Sequence, residues 1–112
     1  MNIETLRDFA LSLPGSEESC PFGPETLVFK VEQKIFLLVS LDREALQFNV
    51  KCQPDRALEW REQYPDEVLP GYHMNKKHWN TIVPHGRIPV QLLKQFVLDS
   101  YELVKPRSKK KA

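Results

Sequence analysis

The stretch Pro70-Gly71-Tyr72-His73-Met74-Asn75-Lys76-Lys77-His78-Trp79-Asn80-Thr81 decides how this chain is organised. It brings histidines, asparagines, lysines and two aromatic residues together without any acid, and it is too polar to be ordinary core. Pro70-Gly71 interrupts a short strand, the four residues after Met74 are typical of a turn, and Trp79 begins another strand. Side chains of these types bind phosphate, a nucleobase or a protein surface.

The patterns outside this stretch predict an α+β fold. Helical spacing of apolar residues and proline stops indicate helices over 3–13, 54–64 and 89–104. Apolar runs and alternation indicate strands over 26–31, 34–40, 45–52, 68–73 and 79–84, with a loop over 16–24. Tight turns are expected at Glu32-Gln33 and at His85-Gly86-Arg87. The order α-β-β-β-α-β-β-α predicts two layers, an antiparallel sheet with helices packed on it.

The strand over 34–40 has a continuous apolar run from Ile35 to Val39. Such a run is typical of a central strand that helices cover on both faces. It is equally consistent with one buried face and a second face offered to a partner.

The length of 112 residues predicts a single domain, which we place at residues 1–106, followed by a basic disordered tail over 107–112. No apolar run approaches the ~20 residues that a membrane helix needs. The N-terminus is acidic and amphipathic, unlike a signal peptide, so we expect a cytoplasmic protein. Cys20 and Cys52 are far apart and should then be free thiols.

The formal net charge of +1 hides an asymmetry along the chain. Residues 1–67 carry 7 basic and 13 acidic side chains, a net charge of −6, whereas residues 68–98 carry four basic side chains and no acid. Positive charge is therefore concentrated in the second half, and an anion-binding face is expected there. The overall balance is less basic than that of strong nucleic-acid binders.

The central stretch resembles the signature of the YjbR/MmcQ family of small bacterial proteins, His-x-Asn-Lys-x-His-Trp-x-Thr. The matching positions are His73, Asn75, Lys76, His78, Trp79 and Thr81. Pro14-Gly15, Pro21-Phe22-Gly23, Lys34-Ile35-Phe36 and Ser100-Tyr101 extend the resemblance over nearly the whole chain. It implies a fold likened to secretion chaperones, to the frataxin-like CyaY superfamily and to double-wing DNA binders. The family is commonly labelled DNA-binding on that structural analogy.

Metal binding and catalysis have weak support in the sequence. His73, His78 and His85 could hold an ion, but their spacing matches no standard motif and no carboxylate lies among them. Cys20, Ser100 and the histidines could be assembled into a catalytic site only on paper, because no nucleophile motif or phosphate-binding loop is present. We therefore expect no catalytic residue, metal or cofactor, and a protein that is not an enzyme.

DNA binding has the better physical basis. Lys76, Lys77 and Arg87 would neutralise phosphates, and Lys94 would extend the track. Asn75 and Asn80 would contact base edges or sugars, and Tyr72 would stack on a base. Hairpins at Glu32-Gln33 and His85-Gly86 would act as wings.

The remaining residues of the stretch are expected to structure the loop. His73 and His78 would hold it through hydrogen bonds, together with Thr81. Trp79, at a strand start, is typical of a core anchor, with base stacking as the alternative.

A protein-interaction module, chaperone-like or scaffolding, is the alternative from another class. The sheet or a helix would then offer a surface to a peptide or to a second copy. We expect a monomer or a weak homodimer. A homodimer would support this alternative, whereas salt-sensitive binding to DNA would support the first hypothesis.

Overall fold

Three helices cover one face of an antiparallel sheet in the computed structural model, which describes residues 1–71 and 74–106. The helices are α1 (Ile3–Ser12), α2 (Pro54–Gln63) and α3 (Val90–Val104). The strands are β1 (Ser16–Ser19), β2 (Thr26–Val31), β3 (Lys34–Ser40), β4 (Phe48–Lys51), β5 (Val68–Pro70) and β6 (Trp79–Ile82). Within the described residues the strands form one sheet in the order β1-β2-β3-β4-β6-β5.

The predicted fold class and the order of the predicted elements are confirmed. Strands β2 and β3 coincide with the predicted ranges, and their turn contains Glu32 and Gln33, both with positive φ, as a two-residue hairpin turn requires. Helix α1 begins at Ile3 as predicted, because the side chain of Asn2 accepts a hydrogen bond from the N–H of Thr5.

Strand β1 corrects the prediction of a loop over 16–24. Its sequence, Ser-Glu-Glu-Ser, has no β-branched or aromatic residue, so local propensity gives no strand signal. It forms because β2 offers a free edge, with which β1 pairs from Ser16 opposite Val31 to Ser19 opposite Val28. The long β2 strand thus decides the conformation of its polar neighbour.

Three predicted strands are shorter in the structure, and the one predicted over 68–73 is confined to Val68–Pro70 within the described residues. The strand predicted over 45–52 is confined to Phe48–Lys51, because the ladder with β3 begins at the Val39–Phe48 pair. The strand predicted over 79–84 ends at Ile82, where its pairing with β4 and β5 ends.

Alternation along the central strands produces two different sheet faces. Leu37, Val39, Phe48, Val50 and Ile82 point into the main core, where residues of α1 and α3 such as Leu6, Phe96 and Val97 join them. The residues between them, such as Leu38, Asn49 and Thr81, lie on the other side. We call that side the open face, because no helix of the described residues covers it. Two alternatives were predicted for the apolar strand over 34–40, helices on both faces or on one face only. The structure supports helices on one face.

The connection through His85, Gly86 and Arg87 joins β6 to α3 and is not the hairpin that the sequence predicted. A hairpin needs a following antiparallel strand, and Pro89 here directly precedes a helix. Of the two predicted wings only the Glu32-Gln33 turn joins two strands, so the two-wing arrangement is wrong for the described residues.

Candidate nucleic-acid interface

The predicted turn before β6 is present, and we call Asn75–His78 the lysine turn. The side-chain oxygen of Asn75 accepts a hydrogen bond from the N–H of Lys77 at 2.9 Å. Its backbone carbonyl accepts from the N–H groups of His78 and Trp79 at 3.2 and 2.9 Å. Asn75 thus acts like a helix N-cap for one turn, and the side chains of Lys76 and Lys77 are exposed.

Arg61 of helix α2 fastens the lysine turn to the body of the protein. Its guanidinium donates to the side-chain oxygen of Asn80 at 2.8 Å, to the carbonyl of Trp79 at 3.3 Å and to the carbonyl of Lys76. A planar guanidinium satisfies several acceptors at once, which a lysine ammonium does less well. The backbone of the turn is therefore fixed while its two lysine side chains remain directed to solvent.

The chain around the turn is also close-packed against the sheet. The N–H of Cys52 donates to the carbonyl of His78 at 2.7 Å, and the N–H of Gly71 donates to the carbonyl of Trp79 at 2.9 Å. A Cβ at Gly71 would lie 2.8 Å from the Cβ of Trp79, so glycine is required for this approach. Trp79 pairs with Lys51 of β4, and alternation places both on the open face.

Asn80, on the helix-covered face, and Thr81, on the open face, are both buried, with 2% of their surface exposed. The Asn80 amide accepts from Arg61 and donates to the carbonyl of Ala57 at 3.5 Å, so it joins β6 to α2. The structure thus gives no support to the predicted contact of Asn80 with a base. The Thr81 hydroxyl donates to the side-chain oxygen of Asn49 and so joins β6 to β4, while its role in structuring the loop stays a prediction.

His78 holds the loop by its backbone. Its N–H and carbonyl make the contacts described above, whereas its half-buried imidazole makes no hydrogen bond within residues 1–71 and 74–106. Trp79 is half-buried and lies outside the main core cluster of the described residues, and its role as core anchor or stacking platform stays a prediction. The sequence-based roles of Tyr72 and His73 lie outside the described residues.

Arg87 is exposed but lies at the other end of β6 from the lysine turn. Nine residues separate it from Lys77, and four of them form strand β6, which is on the order of 13 Å long. Arg87 and the lysine pair therefore form two separate basic regions rather than one cluster. Lys94 lies in α3, on the helix-covered side.

A buried carboxylate positions the Arg87 region. Glu67 is 1% exposed and accepts hydrogen bonds from the N–H groups of Arg87 at 3.0 Å and Ile88 at 3.3 Å. Burial alone would raise the pKa of Glu67, but the N–H groups of His85, Arg87 and Ile88 hold its pKa below the usual range. The side chain is thus an ionised acceptor for a backbone turn, and nothing in the linear sequence distinguishes it from the neighbouring acids.

Of the three candidate metal ligands, His73 lies outside the described residues, and the other two do not come together. His78 and His85 lie at opposite ends of β6. In the part of the chain that the structure describes, no three His, Cys, Asp or Glu side chains are close enough to hold a metal ion.

The nucleophiles considered from the sequence are also separate. The Ser100 hydroxyl donates to the carbonyl of Phe36 at 2.6 Å and accepts from the N–H of Lys51 at 2.8 Å, so its role is structural. Cys20 and Cys52 are free thiols, as predicted. Burial, followed by the nearby carboxylate of Asp99, raises the pKa of the Cys52 thiol, which disfavours the nucleophilic thiolate.

Sequence reasoning missed Arg61 and Glu67 as residues that shape this surface. Arg61 follows the apolar residues of an amphipathic helix, where an arginine is usually solvated, and its three acceptors come from a segment 15 to 19 residues later. The sequence alone could not have identified Arg61, because its role depends on how close α2 lies to β6.

None of the helices in the described residues has the length and hydrophobicity needed to cross a membrane.

Comparison with known proteins agrees with this fold. The protein YbdF of Escherichia coli O157:H7, named as uncharacterized, is 45% identical over 101 residues, which cover 90% of this chain and 82% of YbdF. YjbR of Escherichia coli K12, also named as uncharacterized, is 30% identical, with 91% of this chain and 86% of YjbR covered. The crystal structure of Deinococcus radiodurans protein DR2400, a DUF419 domain, superposes with a TM-score of 0.88 at 38% identity, over 92% of this chain and 78% of that one. The family model described as YjbR matches residues 11–103, and the chain therefore belongs to the YjbR family.

Proposed function

We propose that the protein binds DNA through a surface centred on Asn75, Lys76 and Lys77, and that it does so without catalysis. The observation that carries this proposal is the lysine turn itself. Two adjacent lysines are exposed on a backbone that Asn75 and Arg61 hold in place. In the described residues neither lysine forms an ion pair with an acid, so both charges are available to phosphates.

The neighbourhood of the turn favours an anion. Residues 68–98 contain no acidic side chain, and Lys51 adds a further cation on the open face beside Trp79. A lysine that neutralises a phosphate releases condensed counterions, and this release supplies most of the nonspecific affinity for DNA. Because the turn is already ordered, binding costs less conformational entropy than it would for a mobile loop.

The proposed contact set differs from the one predicted from sequence. Asn80 leaves it, because its amide serves the contact between β6 and α2. Arg87 lies in a separate basic region. A long DNA bound at the lysine turn would reach it, and a short one would not. Tyr72 stays a sequence-based prediction, as does the cytoplasmic location that DNA binding would need.

Fluorescence anisotropy with labelled DNA, measured from about 50 mM to about 200 mM salt, tests the proposal. The double variant Lys76→Gln/Lys77→Gln should weaken binding and should reduce the slope of log K against log salt by about 2, one for each lost phosphate contact. The melting temperature should not change, because both side chains are exposed.

The matched control is Lys94→Gln/Lys105→Gln, which removes the same charge from the helix layer. It should leave affinity and slope close to those of the wild type. Equal losses in both double variants would mean that only net charge matters, and an unchanged affinity in the Lys76/Lys77 variant would refute the proposed surface. The variant Arg87→Gln tests whether the DNA contacts extend to the far end of β6. Weaker binding would show that they do, and unchanged binding that they do not.

A protein-interaction module is the second candidate, because the open face carries exposed apolar side chains. Phe22 is 64% exposed and Leu69 is 37% exposed, and both lie along grooves of that face. Absence of DNA binding at low salt would bring this candidate forward. Sedimentation measurements across concentration would then test for a homodimer.

A further inference from the structure

The open face contains a groove beside the lysine turn that DNA binding through phosphates does not use. The groove has a volume of about 480 Å³ and runs over β3 between Phe22, in the β1–β2 loop, and Met74, which directly precedes the lysine turn. Its floor is formed by side chains of β2, β3 and β4, namely Thr26, Ile35, Leu38, Ser40 and Asn49. Gln47 and Arg43 line this groove and also its neighbour, which reaches Leu69 and Thr81.

The polar groups of the floor are partly pre-oriented. The side-chain oxygen of Asn49 accepts a hydrogen bond from Thr81, which leaves the NH₂ group of Asn49 as a donor. Within the described residues that NH₂ group makes no hydrogen bond, and neither does the side-chain amide of Gln47. The floor thus offers donors next to an apolar wall, a combination that recognises a flat heterocycle with carbonyl acceptors.

Charge complementarity points to an anionic chain as the occupant. Alternation places Lys30 and Lys51 on the open face, Arg43 lines the groove, and Lys76 and Lys77 follow Met74. Asp42 also lines the groove and Glu17 lies on the same face, so this face has three cations against two acids, and the adjoining lysine turn adds two further cations. In the described residues none of the five cations forms an ion pair.

We infer that the ligand is single-stranded nucleic acid, and that an unpaired base enters the groove and stacks on Phe22 while its phosphates contact the lysine turn. The inference rests on the proposed function, because the lysine turn supplies the phosphate contacts. A base within a duplex is paired and stacked on its neighbours, so it cannot present its face and its hydrogen-bonding edge to such a groove. Aromatic stacking of this kind is common to proteins that bind single strands.

The test uses three labelled probes of equal length. They are an oligothymidylate of about 16 nucleotides, the upper end of site sizes for one small domain, its duplex with oligodeoxyadenylate, and an abasic strand with the same phosphates. We expect the wild-type protein to bind the oligothymidylate more tightly than the other two. Phe22→Ala should weaken binding of the oligothymidylate by about 5- to 100-fold and leave the abasic strand unaffected.

Two further variants make the result specific. Phe22→Trp keeps an aromatic face and should restore binding. Leu58→Ala, which removes a similarly exposed apolar side chain (55% exposed) from helix α2, should change nothing. Melting temperatures check that each variant is folded.

The outcomes separate this inference from the proposed function. If Phe22→Ala binds all three probes like the wild type while Lys76→Gln/Lys77→Gln weakens them, phosphates are bound but the groove holds no base, and only this inference fails. If the wild type binds no probe at low salt, the proposed function fails as well. Binding of an unfolded apolar peptide, but of no oligonucleotide, would assign the groove to a protein partner.

Discussion

At the scale of single residues, the described surface depends on polar side chains that form hydrogen bonds with backbone groups. Glu67 accepts from three successive parts of the β6–α3 connection, and Arg61 donates to the carbonyls around the lysine turn. Asn75 caps that turn. Each orders a segment without secondary structure, so the exposed cations have defined positions.

Glu67→Gln should lower the free energy of unfolding at about pH 7 by about 1–3 kcal/mol, because an amide presents a single neutral oxygen to the N–H donors. The pKa of Glu67 is lower in the folded state than the ordinary value of about 4.3 in the unfolded chain. Its stabilising contribution is therefore complete above about pH 4.3 and is lost as the pH falls through the folded-state pKa.

Urea denaturation of wild type and Glu67→Gln at about pH 7 and about pH 3 measures this effect. The difference between the two proteins should shrink at the lower pH. A difference of equal size at both would show that packing, rather than the charge of Glu67, is responsible.

At the scale of elements, side chains on the helices complete hydrogen bonds that the sheet leaves open. Phe36 is an extra residue in β3, since Ile35 pairs with Lys30 and Leu37 with Phe29. Such a bulge interrupts the ladder. The Ser100 hydroxyl of α3 bridges the carbonyl of Phe36 and the N–H of Lys51, and the neighbouring Tyr101 hydroxyl donates to the carbonyl of Pro14. Two adjacent residues of α3 thus attach the helix to β3, β4 and the turn after α1.

Ser100→Ala should therefore lower the free energy of unfolding by about 1–3 kcal/mol, because it leaves the buried carbonyl of Phe36 and the partly buried N–H of Lys51 without this partner. Thermal or urea unfolding measures the loss. Ser12→Ala is a suitable control, since Ser12 also donates to a carbonyl, that of Phe9 at 2.6 Å, but on the surface. Similar losses in both variants would contradict the explanation by burial.

At the scale of the whole molecule, positive charge divides between the folded body and the C-terminal residues 107–112, which lie outside the described residues. Removing 107–112 should leave the melting temperature unchanged, because the buried residues of the described chain all lie between Leu6 and Val104. Binding to DNA should persist with a smaller salt slope, since up to four basic side chains are lost.

Anisotropy on residues 1–106 and on the full chain measures both quantities. If binding disappears with the last six residues, the lysine turn is not the main site, and DNA affinity comes from nonspecific attraction to the basic end of the chain.

The sequence by itself determined the helices, the long strands β2 and β3, the α+β class and the turn before β6, because these depend on local periodicity, proline and capping. Tertiary structure alone decided which polar side chains are available. Asn75 and Asn80 look alike in the sequence, but strand alternation turns Asn80 towards Arg61, whereas Asn75 caps an exposed turn. Likewise the ladder that makes a strand of Trp79–Ile82 places Lys77 and Arg87 beyond its opposite ends, and the edge of β2 makes a strand of Ser16–Ser19. The physical reason is that burial and partner contacts depend on segments distant in the chain, which no local pattern encodes.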